Sequence, residues 1–146
     1  MNAYSNHYYN NQIMTASPEQ ILIMLFEGAI RFVRQAGLAI DENRLGDKAQ
    51  AINKAIAIIT EFSNTLDYEV GGEIALELSS LYDFMTRELS AVNAQNDAQR
   101  LGPVEKVLLD LREGFVGAAA AQLSQQNQDA DISSTNPKSE RIAVSF

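Results

Sequence analysis

The feature that most constrains this chain is the spacing of its apolar residues. From Pro18 to about Ser124 they recur at intervals of three and four, the period of an α-helix seen from one side. No stretch alternates apolar and polar side chains for long enough to build a sheet, so the expected class is all-α.

Turn and cap residues divide the pattern into four. Ser17 is a good N-cap, Pro18 fits the first helical position and Gln20 stands where a capping-box partner belongs. This first helix should run to Asp41 or Glu42 and end near Asn43-Arg44-Leu45-Gly46. Asp47 then caps a second helix with the stripe Ile52, Ile56, Ile59, Ser63 and Leu66. The Gly71-Gly72 pair breaks the chain before a third helix, which carries Ile74, Leu78, Leu81, Met85, Leu89 and Val92. A polar turn, Asn93 to Asp97, leads to a fourth helix with Val104, Val107/Leu108, Leu111, Phe115 and Ala118/Ala119. Its start has two readings: Pro103 at the first helical position, or a helix capped by Asp97 and kinked at Gly102-Pro103.

Four helices joined by short turns favour an antiparallel up-down-up-down four-helix bundle over residues 17–124. At 146 residues the chain is long enough for one such domain with a real core. Residues 125–146 are rich in Gln, Asn, Ser and Asp, a composition that buries too little to order itself, and are read as a flexible, disordered tail. Residues 1–16 form a polar, flexible N-terminal arm in which Tyr4, Tyr8 and Tyr9 stand out, since tyrosines in such an arm often dock on something.

Composition removes most chemistry. With no cysteine there is no thiol nucleophile, disulfide framework or Cys-ligated metal. His7 is the single histidine and lies outside the bundle, which excludes the usual di-iron site of helical bundles and any Ser-His-Asp triad. No phosphate-binding glycine loop occurs. Glu69, Glu73 and Glu77 share one helical face and read as a solvated surface. No catalytic residue, metal or cofactor is therefore expected, and the chain does not read as an enzyme. A net charge of −8 has the wrong sign for nucleic acid or anionic membrane. The longest apolar run, Ile21 to Phe26, is far short of a membrane span, and no secretion signal opens the chain. A soluble, cytoplasmic protein is the expectation.

What remains is surplus apolar surface. On the first helix Gln20, Glu27, Arg31, Arg34, Gln35 and Asp41 crowd into one arc, leaving an apolar arc of roughly 200°, wider than a single core stripe needs. Leu22, Leu25, Ala29, Val33 and Ala36 form its centre and read as core. Phe26, Ile30 and Ile23 lie on its flank, and Met24 projects on the polar side. The fourth helix carries a second row, Leu109, Val116 and Leu123, at heptad spacing beside its main stripe, with small residues from Gly114 to Ala121 that permit close approach of another backbone. Such flanks either pack against neighbouring helices or form an exposed groove for an amphipathic helix from a partner.

The run Gln12-Ile13-Met14-Thr15-Ala16-Ser17-Pro18-Glu19-Gln20-Ile21-Leu22-Ile23-Met24-Leu25-Phe26-Glu27-Gly28-Ala29-Ile30 closely resembles the opening of the flagellar secretion chaperones of the FliS family. There the pattern is a tyrosine, a short polar gap, then T-A-S-P-E-x-L-I-x-x-L-Y-D/E-G-A. Asn53 to Ile59, Asn64 to Asp67 with Gly71-Gly72, Leu81-Tyr82-Asp83-Phe84, and Asn93 with Asp97 follow in matching order, so the likeness spans residues 4 to 122. Phe26 departs from it, standing where the family usually has tyrosine. Gly102-Pro103 also interrupts a region that is commonly continuous helix in the family.

The resemblance implies a cytoplasmic, ATP-independent export chaperone. It would bind the disordered C-terminal region of flagellin as helices on the outside of the bundle, prevent premature polymerisation and pass its client to the export-gate component of the secretion apparatus. It also implies that the N-terminal arm, through Tyr8 or Tyr9, covers part of the binding surface when no client is bound. Joined to the wheel geometry, it makes Leu22, Phe26, Ile30, Leu109, Val116 and Leu123 the expected groove residues, with Tyr82 and Phe84 beside them. The competing reading is a structural or regulatory bundle that self-associates through the same surface, as a homodimer, without a flagellin client. A client-free chaperone could dimerise as well.

Overall fold

The computed structural model describes residues 16–135, which hold four α-helices, one short 3-10 turn and no strand. The helices are α1 (Pro18–Asp41), α2 (Leu45–Asn64), α3 (Tyr68–Gln95) and α4 (Leu101–Thr135), with the 3-10 turn Ala98–Arg100 before α4. The chain divides into a compact unit ending at Arg112 and a second beginning at Glu113, within α4.

The start of α1 follows its sequence signals. The Ser17 hydroxyl accepts from the Gln20 amide at 3.2 Å, and the Gln20 side chain accepts from the Ser17 amide at 2.9 Å, closing a capping box ahead of Pro18. At the other end Asn43 takes a left-handed φ of 56°. The Arg44 amide then reaches Ala39 O and the Asn43 amide reaches Ile40 O, which satisfies two carbonyls left over by the helix.

Side-chain contacts set the topology of the first unit. Phe26 of α1 stacks on Phe62 of α2 with ring centroids 4.3 Å apart, and Lys54 stands 5.5 Å from the Phe32 ring. Numbers rise along α1 as they fall along α2, so the pair is antiparallel. The Phe62 ring in turn lies 5.7 Å from Tyr82 of α3, while Lys48 near the start of α2 meets Asn93 and Asn96 at the end of α3. On the far side of α1, Glu27 pairs with Arg112 and Arg34 with Glu105, which makes α4 antiparallel to α1. The four helices thus follow one another in up-down order, the arrangement expected of a four-helix bundle.

The core of this unit is built from Phe26, Val33, Ile52, Ile59, Phe62, Met85, Leu89, Val92, Val104 and Leu108, all buried. Each large side chain among them contributes about 1.5–3 kcal/mol by leaving water.

Several local expectations give way. Arg44, not Asp47, occupies the N-cap of α2 and makes no side-chain cap bond; Asp47 lies in the first turn and accepts from Arg44 Nη1 at 2.7 Å. Asp67 caps a helical turn ahead of the glycine pair, accepting from the amides of Glu69 and Val70, so that Gly72 alone leaves helical geometry (φ 51°, ψ −122°). Asp97 caps the 3-10 turn and α4 begins at Leu101. Pro103 therefore sits in the first turn of α4, where its missing N–H has no intrahelical acceptor to lose. Leu22 and Leu25 are half-buried, and Ile74 is largely exposed.

In the second unit α4 continues without a break, past Ser124, to Thr135. The side chains of residues 125–130 are all exposed. The helix there rests on its own backbone ladder, because Gln, Asn and Asp supply no apolar face to bury.

Candidate functional site

The outer side of the α1–α4 pair in the first unit carries an open groove. A cavity of about 450 Å³ is lined by Glu27, Ile30, Arg31, Arg34, Leu38 and Leu109. A second, of about 390 Å³, shares Arg34 and Leu38 and extends toward Ala98 and Leu101. Ile30 is buried at the floor, whereas Leu38 and Leu109 are exposed. Above them the Arg112–Glu27 pair, at 2.9 Å, and the Arg34–Glu105 pair span from α1 to α4. These pairs are well exposed and hold little stability, on the order of 0–1 kcal/mol each, but they leave the rim nearly neutral around an apolar floor. An amphipathic helix laid along the groove would bury its apolar face on Ile30, Leu38 and Leu109.

The structure separates the expected partner-binding residues. Ile30 and Leu109 come together in the groove. Leu22 and Phe84 are half-buried on α1 and α3. Val116 and Leu123, in the second unit, are exposed. Phe26 and Tyr82 belong to the core, joined through Phe62, and present no surface here. The wheel set Phe26 on the flank of α1, but that flank is where α2 packs. Burial also pushes the Tyr82 phenol above its ordinary value, so it stays neutral inside the bundle. Tyr8 and Tyr9 lie outside the described residues. Leu38 is the groove residue that sequence reasoning passed over; its one signal is its position two turns beyond Arg31 on α1, within reach of Arg34.

Among the described residues no group of His, Cys, Asp and Glu is placed to hold a metal ion, and no helix is long and apolar enough to cross a membrane.

The family model of the flagellar protein FliS matches residues 1–122. The chain belongs to the FliS family. Among curated relatives, the flagellar secretion chaperone FliS of Salmonella typhimurium is 40% identical over 114 residues, covering 77% of this chain and 84% of that protein. The protein of the same name from Bacillus subtilis is 30% identical over 125 residues, covering 86% and 92%. A crystal structure described as a flagellar chaperone from bacteria superposes with a TM-score of 0.68 at 23% identity, covering 81% of this chain and 96% of that one, which shows the same fold.

Proposed function

We propose that this protein is a flagellar export chaperone whose client is the C-terminal region of flagellin, held as helix in the α1–α4 groove. The observation that carries the reading is the pair Leu38 and Leu109, exposed over buried Ile30 in a groove open along the bundle. Leu22 on α1 belongs to the client surface of the first unit, Val116 and Leu123 are exposed apolar residues of the second unit that a client could also use, and the N-terminal arm with Tyr8 or Tyr9 is the segment proposed to cover the site in the free protein. A client segment whose apolar face is buried here cannot polymerise through that face. Ordering the segment costs entropy, so the apolar contact has to be broad. The protein works by binding alone, in the cytoplasm, without cofactor or catalysis, and delivers its client to the export gate.

Calorimetric titration with a flagellin C-terminal peptide of about 40 residues, with far-ultraviolet circular dichroism of the mixture, tests this directly. Saturable one-to-one binding, a negative heat-capacity change and added helix are expected. Leu109→Asp should weaken binding about tenfold or more while the free protein melts as before, because the exposed side chain leaves no buried charge behind. An unaltered titration with Leu109→Asp would move the client off this groove.

A further inference from the structure

The charges along the α1–α4 groove cancel in pairs, with one exception. On α1 they are Glu27, Arg31 and Arg34, about one turn apart on the wall of the same cavity. Glu27 is held by Arg112 and Arg34 by Glu105, both from α4. Arg31, between them, has no carboxylate partner among the described residues. Its guanidinium stands 5.5 Å from the centroid of the half-buried Phe32 ring, and the Lys54 ammonium of α2 stands 5.5 Å from the same centroid. Lys54 has no carboxylate partner either. It shares with Leu38 the wall of a smaller cavity of about 200 Å³ on the α2 side of α1. Two uncompensated cations thus gather on one ring at the edge of an apolar groove, in a chain whose net charge is −8. The ring holds them in place but does not neutralise them, and two like charges kept close repel until an anion joins them.

We infer that Arg31, backed by Lys54, receives an Asp or Glu side chain of the client helix, so that the groove selects an acidic client segment over a neutral or basic one. The inference rests on the client reading above and adds the chemistry of the segment that is taken. Arg31 and Leu38 lie seven residues, or about 10 Å, apart along α1. A client helix running along the groove therefore meets them with a carboxylate and an apolar side chain two turns apart on one face. The docked helix excludes water from the guanidinium, which makes this charge-assisted contact stronger than the exposed pairs on the rim. Arg31 is the specificity-determining residue, because Glu27 and Arg34 are already satisfied within the chain. The N-terminal arm does not supply the missing charge. Residues 1–18 contain no Asp or Glu, so an arm lying on the apolar floor leaves Arg31 unpaired, and an acidic client gains a contact that the arm lacks.

The test is a double-mutant cycle between the full chain and the flagellin C-terminal peptide of about 40 residues. Each Asp and Glu of the peptide is changed in turn to Asn or Gln and titrated against the unaltered chain, Arg31→Gln and Arg87→Gln. Arg87 is an exposed cation of α3 that also lacks a carboxylate partner among the described residues, so its loss reports bulk charge alone. Arg31→Gln should weaken the unaltered peptide about fivefold. One peptide position should cost about the same with the unaltered chain and less than about twofold with Arg31→Gln. Arg87→Gln should stay within about twofold throughout, and Arg31→Lys should recover part of the loss. Binding by Arg31→Gln as tight as by the unaltered chain, losses that add without coupling at every peptide position, or an equal loss in Arg87→Gln would overturn this inference and leave the apolar groove with its client. No binding by the unaltered chain would overturn the client reading and this inference with it. Dimerisation of the free chain in sedimentation, abolished by Arg31→Gln, would overturn it by giving the guanidinium to a second copy. Arg31 is exposed, so circular dichroism should show its variants folded.

Discussion

The two ends of α3 are built on different terms. Its C-terminal end is tied down from three sides. Lys48, buried between α2 and α3, donates to Asn93 O at 2.9 Å and to the Asn96 side chain; Asn96 itself turns the chain with a φ of 57°; and Arg100 bridges to Glu88 at 3.1 Å. Its N-terminal end has one cap, Asp67, then a glycine out of helical geometry and a row of carboxylates with no cation near them. A buried cation at a helix C-terminus satisfies carbonyls that the helix leaves open, so the first end is rigid by construction. The second end leaves its apolar and charged groups in water. One helix is thus tied into the bundle at one end and held by little beyond its own cap at the other.

Four substitutions sharpen that contrast, from the centre outward. Phe62→Ala, which removes the ring between Phe26 and Tyr82, should lower stability by about 3–5 kcal/mol in chemical denaturation, the usual cost of emptying a buried aromatic site. Lys48→Met keeps the aliphatic stem but leaves Asn93 O and the Asn96 side chain without their donor. A loss of about 1.5–3 kcal/mol is expected, with faster amide exchange confined to the end of α3. Gly72→Ala meets no neighbour within 4 Å but must adopt a positive φ, so about 1–2 kcal/mol should be lost, read as a lower melting temperature. A neutral result at Gly72 would show that the turn before it simply rejoins the helix. Glu77→Gln relieves a like charge four residues from Glu73 and should raise stability by about 0.2–0.5 kcal/mol, less at high salt. If Glu77→Gln instead destabilised as much as Lys48→Met, the two ends of α3 would be equally engaged within the fold and the contrast would fail.

Much of this architecture is legible along the chain. Ser17-Pro18 with Gln20 marks the start of α1 because capping chemistry is local: the atoms that satisfy each other lie within one turn. Asn93 to Asp97 is legible as a turn for the same reason. Asp47 misleads because Asp is favourable both at an N-cap and in the first helical turn, and only the path of the chain out of Asn43 separates the two. Site residues are less legible than elements. A helical wheel gives an angle for Phe26 and for Leu109, but whether that angle meets a neighbouring helix or water depends on which neighbours pack there. α2 covers the Phe26 side of α1, whereas nothing within the first unit covers Leu38.

By itself the sequence determined that this chain is helical, where the first helix starts and stops, that thiol and histidine chemistry are missing from the bundle, and, through ordered motifs, which family it belongs to; it did not show that the last helix runs on past Ser124 to Thr135. These follow from short-range chemistry and composition. The tertiary structure decided which of the surplus apolar residues are spent inside and which remain on the surface, since burial depends on groups far apart in the chain. It took Phe26 and Tyr82 into the core, left Leu38 and Leu109 along an open groove, and set Val70, Ile74 and Leu76 in water beside carboxylates with no counter-charge.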